Sequence, residues 1–281
     1  MNTKQAHNTA HKGELLQALH KRAGIFVVPN PWDAGSARML AHLGFEALAT
    51  TSAGLAFSLA RPDGLAAVSR EETLTNARTI VEATALPVTA DLENGFGEAP
   101  ETCAETIRLA AGVGLAGGSI EDATGDPAQP IYPFELAVER VKAAVAAAHS
   151  LPFPFALTAR AENLIRGRSD LKDTIRRLVA FAEAGADVLY APGLTTREEI
   201  DAVVRAVAPK PVNVVMGLTK GAFTLNELAD LGVRRVSLGA SLARAAYSAF
   251  LHAAEEIHDK GTFTFAKDVV PYAVFNGMFK G

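Results

Sequence analysis

Pro87-Val-Thr-Ala-Asp-Leu-Glu-Asn-Gly-Phe-Gly97 is the stretch on which the reading of this chain turns. A short apolar run behind a proline predicts a strand, and Asn94, Gly95 and Gly97 predict the turn that ends it. Between them stand two carboxylates, Asp91 and Glu93. Residues i and i+2 of a strand share a face, so the two acids are expected to point the same way at its C-terminal end. There they could hold a hard cation through oxygen or through its waters. The alternative is that one caps the next helix and the other is solvated.

Outward from this stretch the same pattern repeats. Apolar runs at 25–32, 46–54, 87–93, 117–123, 155–163, 187–193, 211–217 and 234–240 read as strands. Alanine-rich helical patterns lie between them at 34–43, 70–83, 99–111, 135–148, 170–184, 197–206 and 225–231, and several close on glycine, as at Gly44, Gly185 and Gly232. Strands alternating with helices predict parallel βαβ units, and eight such units predict a closed (β/α)8 TIM barrel. An open doubly wound sheet is disfavoured, because no Gly-x-Gly-x-x-Gly turn follows the first strand. No linker or low-complexity tract divides the chain, so residues 1–281 read as a single domain. Residues 1–12 read as a flexible lead-in and 13–22 as a short helix. Residues 242–281 read as a C-terminal helical extension. Its phenylalanines at 250, 263, 265, 275 and 279 would leave a large apolar patch on a monomer, so it is expected against the barrel or a neighbouring subunit.

Composition excludes several function classes. The net charge is −4 with no basic block, which argues against nucleic acid and anionic membrane as partners. One cysteine, Cys103, excludes an intrachain disulfide framework and fits a reducing compartment. Residues 1–20 lack the apolar core of a signal peptide, and no run is long enough to span a bilayer. A cytoplasmic protein is the expectation.

Barrels of this kind carry chemistry at the C-terminal strand ends. Here those ends deliver Asn30, Trp32 and Asp33; Thr51, Ser52 and Gly54; Asp91 and Glu93; Glu121 and Asp122; Arg160, Glu162 and Asn163; Tyr190; Asn213 and Met216; and Ser237. Acids cluster on the third to fifth strands, beside Arg160, whose planar fork suits a carboxylate. Such a site fits a small carboxylate substrate. The bland alternatives are helix caps for the acids, an ion pair with Glu162 for Arg160, rim packing for Trp32 and a core position for Cys103. None of the seven histidines falls at a strand end, which argues against a His-based triad or a His-rich zinc site. An oxygen-liganded Mg²⁺ or Mn²⁺ is the metal to expect. Gly217, Gly221 and Gly239 leave room for a phosphate site after the last two strands.

Five motifs in order resemble the phosphoenolpyruvate mutase/isocitrate lyase superfamily, over about Ile25 to Ala246. They are Pro29-Asn-Pro-Trp-Asp-Ala-Gly-Ser-Ala37, Ser52-Ala-Gly-Leu55, Ala90-Asp-Leu-Glu-Asn-Gly-Phe-Gly97, Ser119-Ile-Glu-Asp122 and Thr158-Ala-Arg-Ala-Glu162. The resemblance implies a barrel enzyme, usually a homotetramer with its last helix swapped between subunits. It implies that Asp91, Glu93 and Glu121, with Asp63 nearby, hold Mg²⁺ largely through water. It implies that Arg160 grips the substrate carboxylate and that Ser52, Gly54 and Leu55 hold the same end. Trp32 and Asn213 complete the expected substrate contacts, and Arg160, Glu121 and Asp91 the expected catalytic set.

There are departures. The usual Asp-x-Asp is Asp91-Leu-Glu93. The Lys-x-Cys-Gly-His loop of the isocitrate and methylisocitrate lyases is absent, and so is the lysine- and asparagine-bearing loop of a phosphonate mutase, which leaves the general acid unassigned. The expectation is a Mg²⁺-dependent carbon–carbon lyase, of decarboxylase or retro-aldol type, on a small α-keto or α-hydroxy carboxylate. Carbon–phosphorus chemistry and a barrel that only binds are the alternatives. Isocitrate is expected to be a poor substrate, Cys103 to be dispensable, and Asp122–Pro133 to be a mobile lid.

Overall fold

The computed structural model describes residues 3–64, 66–217 and 222–280. Eight parallel strands form one sheet: β1 (Phe26–Val28), β2 (Leu48–Ala49), β3 (Val88–Asp91), β4 (Gly117–Glu121), β5 (Ala156–Arg160), β6 (Val188–Tyr190), β7 (Val212–Val215) and β8 (Arg235–Ser237). From β2 to β8 each strand pairs with the next in sequence, and β1 pairs with β8. The remaining seam, between β1 and β2, is bridged by the Ala49 N–H donating to the Pro29 carbonyl at 3.0 Å. This is the (β/α)8 barrel.

The helices on its outside are α2 (Ala34–His42), α4 (Arg70–Ala83), α5 (Pro100–Gly112), α6 (Phe134–His149), α7 (Leu171–Glu183), α8 (Arg197–Val207) and α9 (Leu225–Asp230). Their starts are written in local chemistry. Ser69 and Glu72 form a reciprocal capping box on α4, as Thr196 and Glu199 do on α8. Their buried faces, such as Ala77, Ile80, Ile107, Leu178 and Val203, make a continuous core with the outward strand residues.

Two expectations about the chain's first half need correction. Residues 3–12 are not a loose lead-in, because α1 runs unbroken from Thr3 to Lys21. The Lys12 ammonium is buried and donates to the carbonyls of Val81 (3.1 Å) and Thr84 (2.8 Å) at the end of α4. Leu16 and Leu19 then pack on Phe26, Ala47 and Ala116 at the strand starts. Second, the strand expected over 46–54 stops at Ala49. Thr51 accepts from the Gly54 N–H and caps a short helix, α3 (Ser52–Ser58).

The extension consists of α10 (Ser241–Lys260), a 3₁₀ turn over Thr264–Lys267 and α11 (Tyr272–Phe279). Gly261 ends α10 in the left-handed conformation, φ +62°. Ala243 is the buried residue of α10, and Phe250 (72% exposed), Phe263 (64%) and Tyr272 (89%) stand in the open. No described helix is long and apolar enough to cross a membrane.

Candidate active site

At the C-terminal end of the barrel a cavity of about 250 Å³ is lined by Asn30, Ser52, Ala53, Asp63, Thr89, Asp91, Ser119, Arg160, Tyr190, Asn213, Arg235 and Ser237, among others. Most of these follow strand alternation: Thr89 and Asp91 on β3, Arg235 and Ser237 on β8. A larger cavity, about 770 Å³, lies at the other end, where Gly13 and His20 of α1 meet Phe155, Asp187 and Arg234 before their strands. None of the strand-end acids reaches it.

Arg160 organises the mouth. Its Nη1 meets Asp91 Oδ1 at 2.9 Å, and its Nη2 meets Glu121 Oε2 at 3.0 Å and Glu162 Oε1 at 2.9 Å. Its guanidinium also lies over the Tyr190 ring, 5.1 Å from the centroid. The sequence left open whether Arg160 pairs with Glu162; it does, while still lining the cavity. Burial opposes its charge, but the carboxylates of Glu121, Glu162 and Asp91 more than offset that and hold its pKa well above the ordinary value. Ser52 Oγ donates to Asp91 Oδ2 at 3.0 Å, and Thr50 Oγ1 accepts from the Asp91 N–H.

The two acids of the opening motif come together by a different route from the one expected. β3 ends at Asp91, Leu92 is fully buried, and Glu93 adopts a left-handed turn with φ +47°. Glu93 still meets Asp91 electrostatically: burial, then Asp91 and Asp63, push its carboxyl up to about 7. Burial and Asp91 likewise push Asp63 up. Glu121 is raised well above its ordinary value by burial, with Glu162 and Asp91 adding to it. Gly95 is required by its φ of +83° and because a Cβ there would sit 2.9 Å from Cys103 Sγ. Cys103 is thus buried behind the turn, and burial pushes its thiol up.

Trp32, Gly54, Leu55, Glu93 and Glu121 do not line the cavity. Trp32 packs at the rim, 6.4 Å between ring centroids from Tyr247 of α10. Gly54 and Leu55 lie in the first turn of α3, with their N–H groups donating to Thr51. Ala53 instead joins Ser52 at the wall. A Cβ on Gly54 would meet Thr51, Trp32 and Ala243. Gly221 lies outside the described residues; Gly217 is tied to Ser241 Oγ, and Gly239 lines the cavity.

The segment expected as a lid is anchored along its stems. Ala123 and Ile131 form an antiparallel bridge, and Tyr132 N–H donates to the Asp122 carbonyl at 2.8 Å. Asp122 accepts from the Glu162 N–H and pairs with Arg177, which also donates to the Tyr132 carbonyl. Residues 125–129 at the tip are exposed, as is Pro133 where the segment ends. Proline and glycine had argued against a strand; the buried Asp122–Arg177 pair supplies the order they lack.

Arg235 is the residue the sequence reading missed. It is 4% exposed, and burial brings its pKa down to about 10. The available signal was the alternation Arg235-Val236-Ser237, which puts Arg235 on the same face as Ser237.

Five carboxyl groups (Asp63, Asp91, Glu93, Glu121 and Glu162) thus gather around two guanidinium groups, Arg160 and Arg166. Among the described residues no three acids stand close enough to ligate one ion directly. The donor set nevertheless fits a hard divalent cation held through water: all oxygen, in excess over its counter-charges, with the Asp91 charge raising both Asp63 and Glu93.

The profile of the phosphoenolpyruvate phosphomutase family matches residues 16–258. The chain is 30% identical to 2-methylisocitrate lyase of Escherichia coli K12, over 89% of this chain and 86% of that one. Oxaloacetate acetylhydrolase with bound oxalate superposes with a TM-score of 0.85 at 28% identity, covering 97% of this chain and 94% of that one. A lyase/mutase-type structure from Burkholderia cenocepacia J2315 superposes with a TM-score of 0.95 at 59% identity, covering 98% of each chain. With the barrel, the strand-end acids and these matches in agreement, the chain belongs to the phosphoenolpyruvate phosphomutase family, within the phosphoenolpyruvate mutase/isocitrate lyase superfamily.

Proposed function

We propose that this chain is a divalent-metal-dependent carbon–carbon lyase acting on a small α-keto or α-hydroxy carboxylate. The observation that carries the reading is Arg160, lining the cavity while held by Asp91, Glu121 and Glu162. Three anchors fix its guanidinium, so a carboxylate meets a donor that needs no reorganisation. Ser52 and Ala53 line the same cavity and would orient the same end. Asp91, Glu93, Glu121 and Asp63 would hold Mg²⁺ or Mn²⁺, which when bound draws developing negative charge onto the substrate's C2 oxygen. The anchored stems of 122–133 leave the tip at 125–129 to cover the mouth and exclude water. The relatives point the same way: two are named for cleaving, respectively, methylisocitrate and oxaloacetate.

A panel of keto and hydroxy acids, with and without Mg²⁺, tests this. Release of carbon dioxide, an aldehyde or a keto acid, lost in chelator, is expected. Phosphate release from phosphonopyruvate would mean carbon–phosphorus chemistry instead, and binding without any turnover would mean a barrel that only binds.

The same reading includes a homo-oligomer, with residues from about 242 onward at the interface. The exposed Phe250, Phe263 and Tyr272 support it. Light scattering at micromolar concentration should give a multiple of 29.5 kDa, most simply a tetramer; a monomer would refute it.

A further inference from the structure

The cavity holds a second arginine whose situation is the reverse of Arg160's. Arg235 enters from the start of β8, and its Nε donates to Asn213 Oδ1 at 2.8 Å and its Nη2 to Thr158 Oγ1 at 2.9 Å. Both acceptors are neutral. Its Nη1 is buried and has no hydrogen-bond partner. Among the described residues Arg235 makes no ion pair, although it is 4% exposed. A buried guanidinium without a counter-charge is costly, and hydrogen bonds to neutral groups recover only part of that cost. Departures of this kind from ordinary packing concentrate at functional sites.

The surroundings show what would complete it. Arg235 lines the floor of the cavity with Asn213 and Ser237, whose side chains are hydrogen-bonded at 2.9 Å. At the mouth, Arg160 is already matched by three carboxylates, so it offers an incoming anion position more than charge. The uncompensated positive charge is at the floor. We propose that Arg235 is a substrate-binding residue that holds a second anionic group of the substrate, a carboxylate or phosphoryl oxygen, directed at the barrel floor. This rests on reading the cavity as the site of a carboxylate lyase. It places one end of the substrate at Ser52 and Arg160 and the other on Arg235.

The test is direct binding by calorimetry, in Mg²⁺, of a matched pair: malate, and 2-hydroxybutyrate, which has a methyl in place of the distal carboxylate. 3-Phosphonopyruvate is the third ligand. Wild type should bind malate or phosphonopyruvate at least about 100-fold more tightly than 2-hydroxybutyrate, the scale of a buried charge contact; the tighter of the two identifies the group. Arg235→Met should erase that preference and leave 2-hydroxybutyrate binding unchanged. Asn213→Asp supplies a carboxylate to Arg235 from within, so it should raise the melting temperature and abolish the preference. It also decides the matter if Arg235→Met fails to fold. Equal binding of malate, phosphonopyruvate and 2-hydroxybutyrate by wild type would overturn the proposal, as would equal weakening of all three in Arg235→Met, the mark of a purely structural arginine. The keto-acid panel is scored separately. Arg235-dependent preference without turnover would sink the lyase reading and leave this assignment standing; turnover that favours monocarboxylates would do the opposite.

Discussion

The mouth and the floor of one cavity carry opposite imbalances of charge. At the mouth, acids outnumber cations, and Glu93 and Asp63 are pushed toward their neutral forms. At the floor, a guanidinium stands without an acid, and beneath it burial and the Arg235 charge push the His20 imidazole down to about 3. A barrel interior filled by branched aliphatic side chains would show neither. On the proposed reading, the difference suits the two ends of the cavity to different groups: a cation among the acids, and an anion on Arg235. It also means that the two arginines should respond oppositely to removal.

Arg160→Met should give the largest effect. It strips the counter-charge from Asp91, Glu121 and Glu162, of which Glu162 is fully buried. Breaking a buried charge network from one side costs about 3–5 kcal/mol. The variant should lose activity and that much stability in urea unfolding. A variant as stable as wild type would break the contrast with the floor, where the arginine has no such partners.

Next comes Asp91→Asn, which keeps the shape and removes a charge from the mouth. Ser52, Glu93 and Arg160 all hydrogen-bond or pair with this carboxylate. Turnover should fall by about 100- to 1000-fold, with the circular dichroism spectrum unchanged and much more Mg²⁺ needed for half-maximal rate. Chelation of the wild type should produce the same loss. Undiminished activity in chelator would remove the cation from the mouth and with it half of the comparison.

The acids of the mouth were legible in the sequence, as were Asn213 and Ser237 of the floor, but Arg235 was not, for a physical reason. Asp91, Glu121 and Arg160 follow apolar runs directly, so their places at strand ends need only the strand to be recognised. The helix over 70–83 was readable to the residue, because Ser69 and Glu72 mark its start. Arg235 sits next to Arg234, and a pair of arginines at a strand start reads as solvated surface. Which of the two turns inward depends on register, and one residue of slip exchanges the faces. The pairing of Arg235 with Phe26 and Asn213 settles it. The first half of α1, before the helix expected over 13–22, was hidden for a similar reason: the partners of Lys12 are carbonyls 69 and 72 residues away. Glu93 was expected beside Asp91 and lies within its electrostatic reach, but in another conformation, because alternation says nothing about where a strand stops.

The smallest expected effect separates mouth from floor by pH. Glu93 titrates near 4.5 when unfolded and near 7 when folded. Its folded form keeps the proton, so its contribution to stability is present below pH 4.5 and is lost as pH rises through 7. His20 titrates near 6.5 when unfolded and near 3 when folded. Its contribution is therefore present above pH 6.5 and is lost as pH falls toward 3. Between pH 5 and 6.5 the two slopes oppose, each worth about 2 kcal/mol across the window. The readout is the difference from wild type, since Asp122, pushed up to about 6, adds a slope of the same sign as that of Glu93. Relative to wild type, Glu93→Gln should gain stability as pH rises through this window, and His20→Leu should gain it as pH falls. Saturating Mg²⁺ should shrink the Glu93 slope, because a cation among the acids favours their ionised forms, and leave the His20 slope as it was. If Mg²⁺ altered both slopes equally, the cation would be acting on the whole fold rather than at the mouth, and the division of the cavity into two oppositely charged ends would fail.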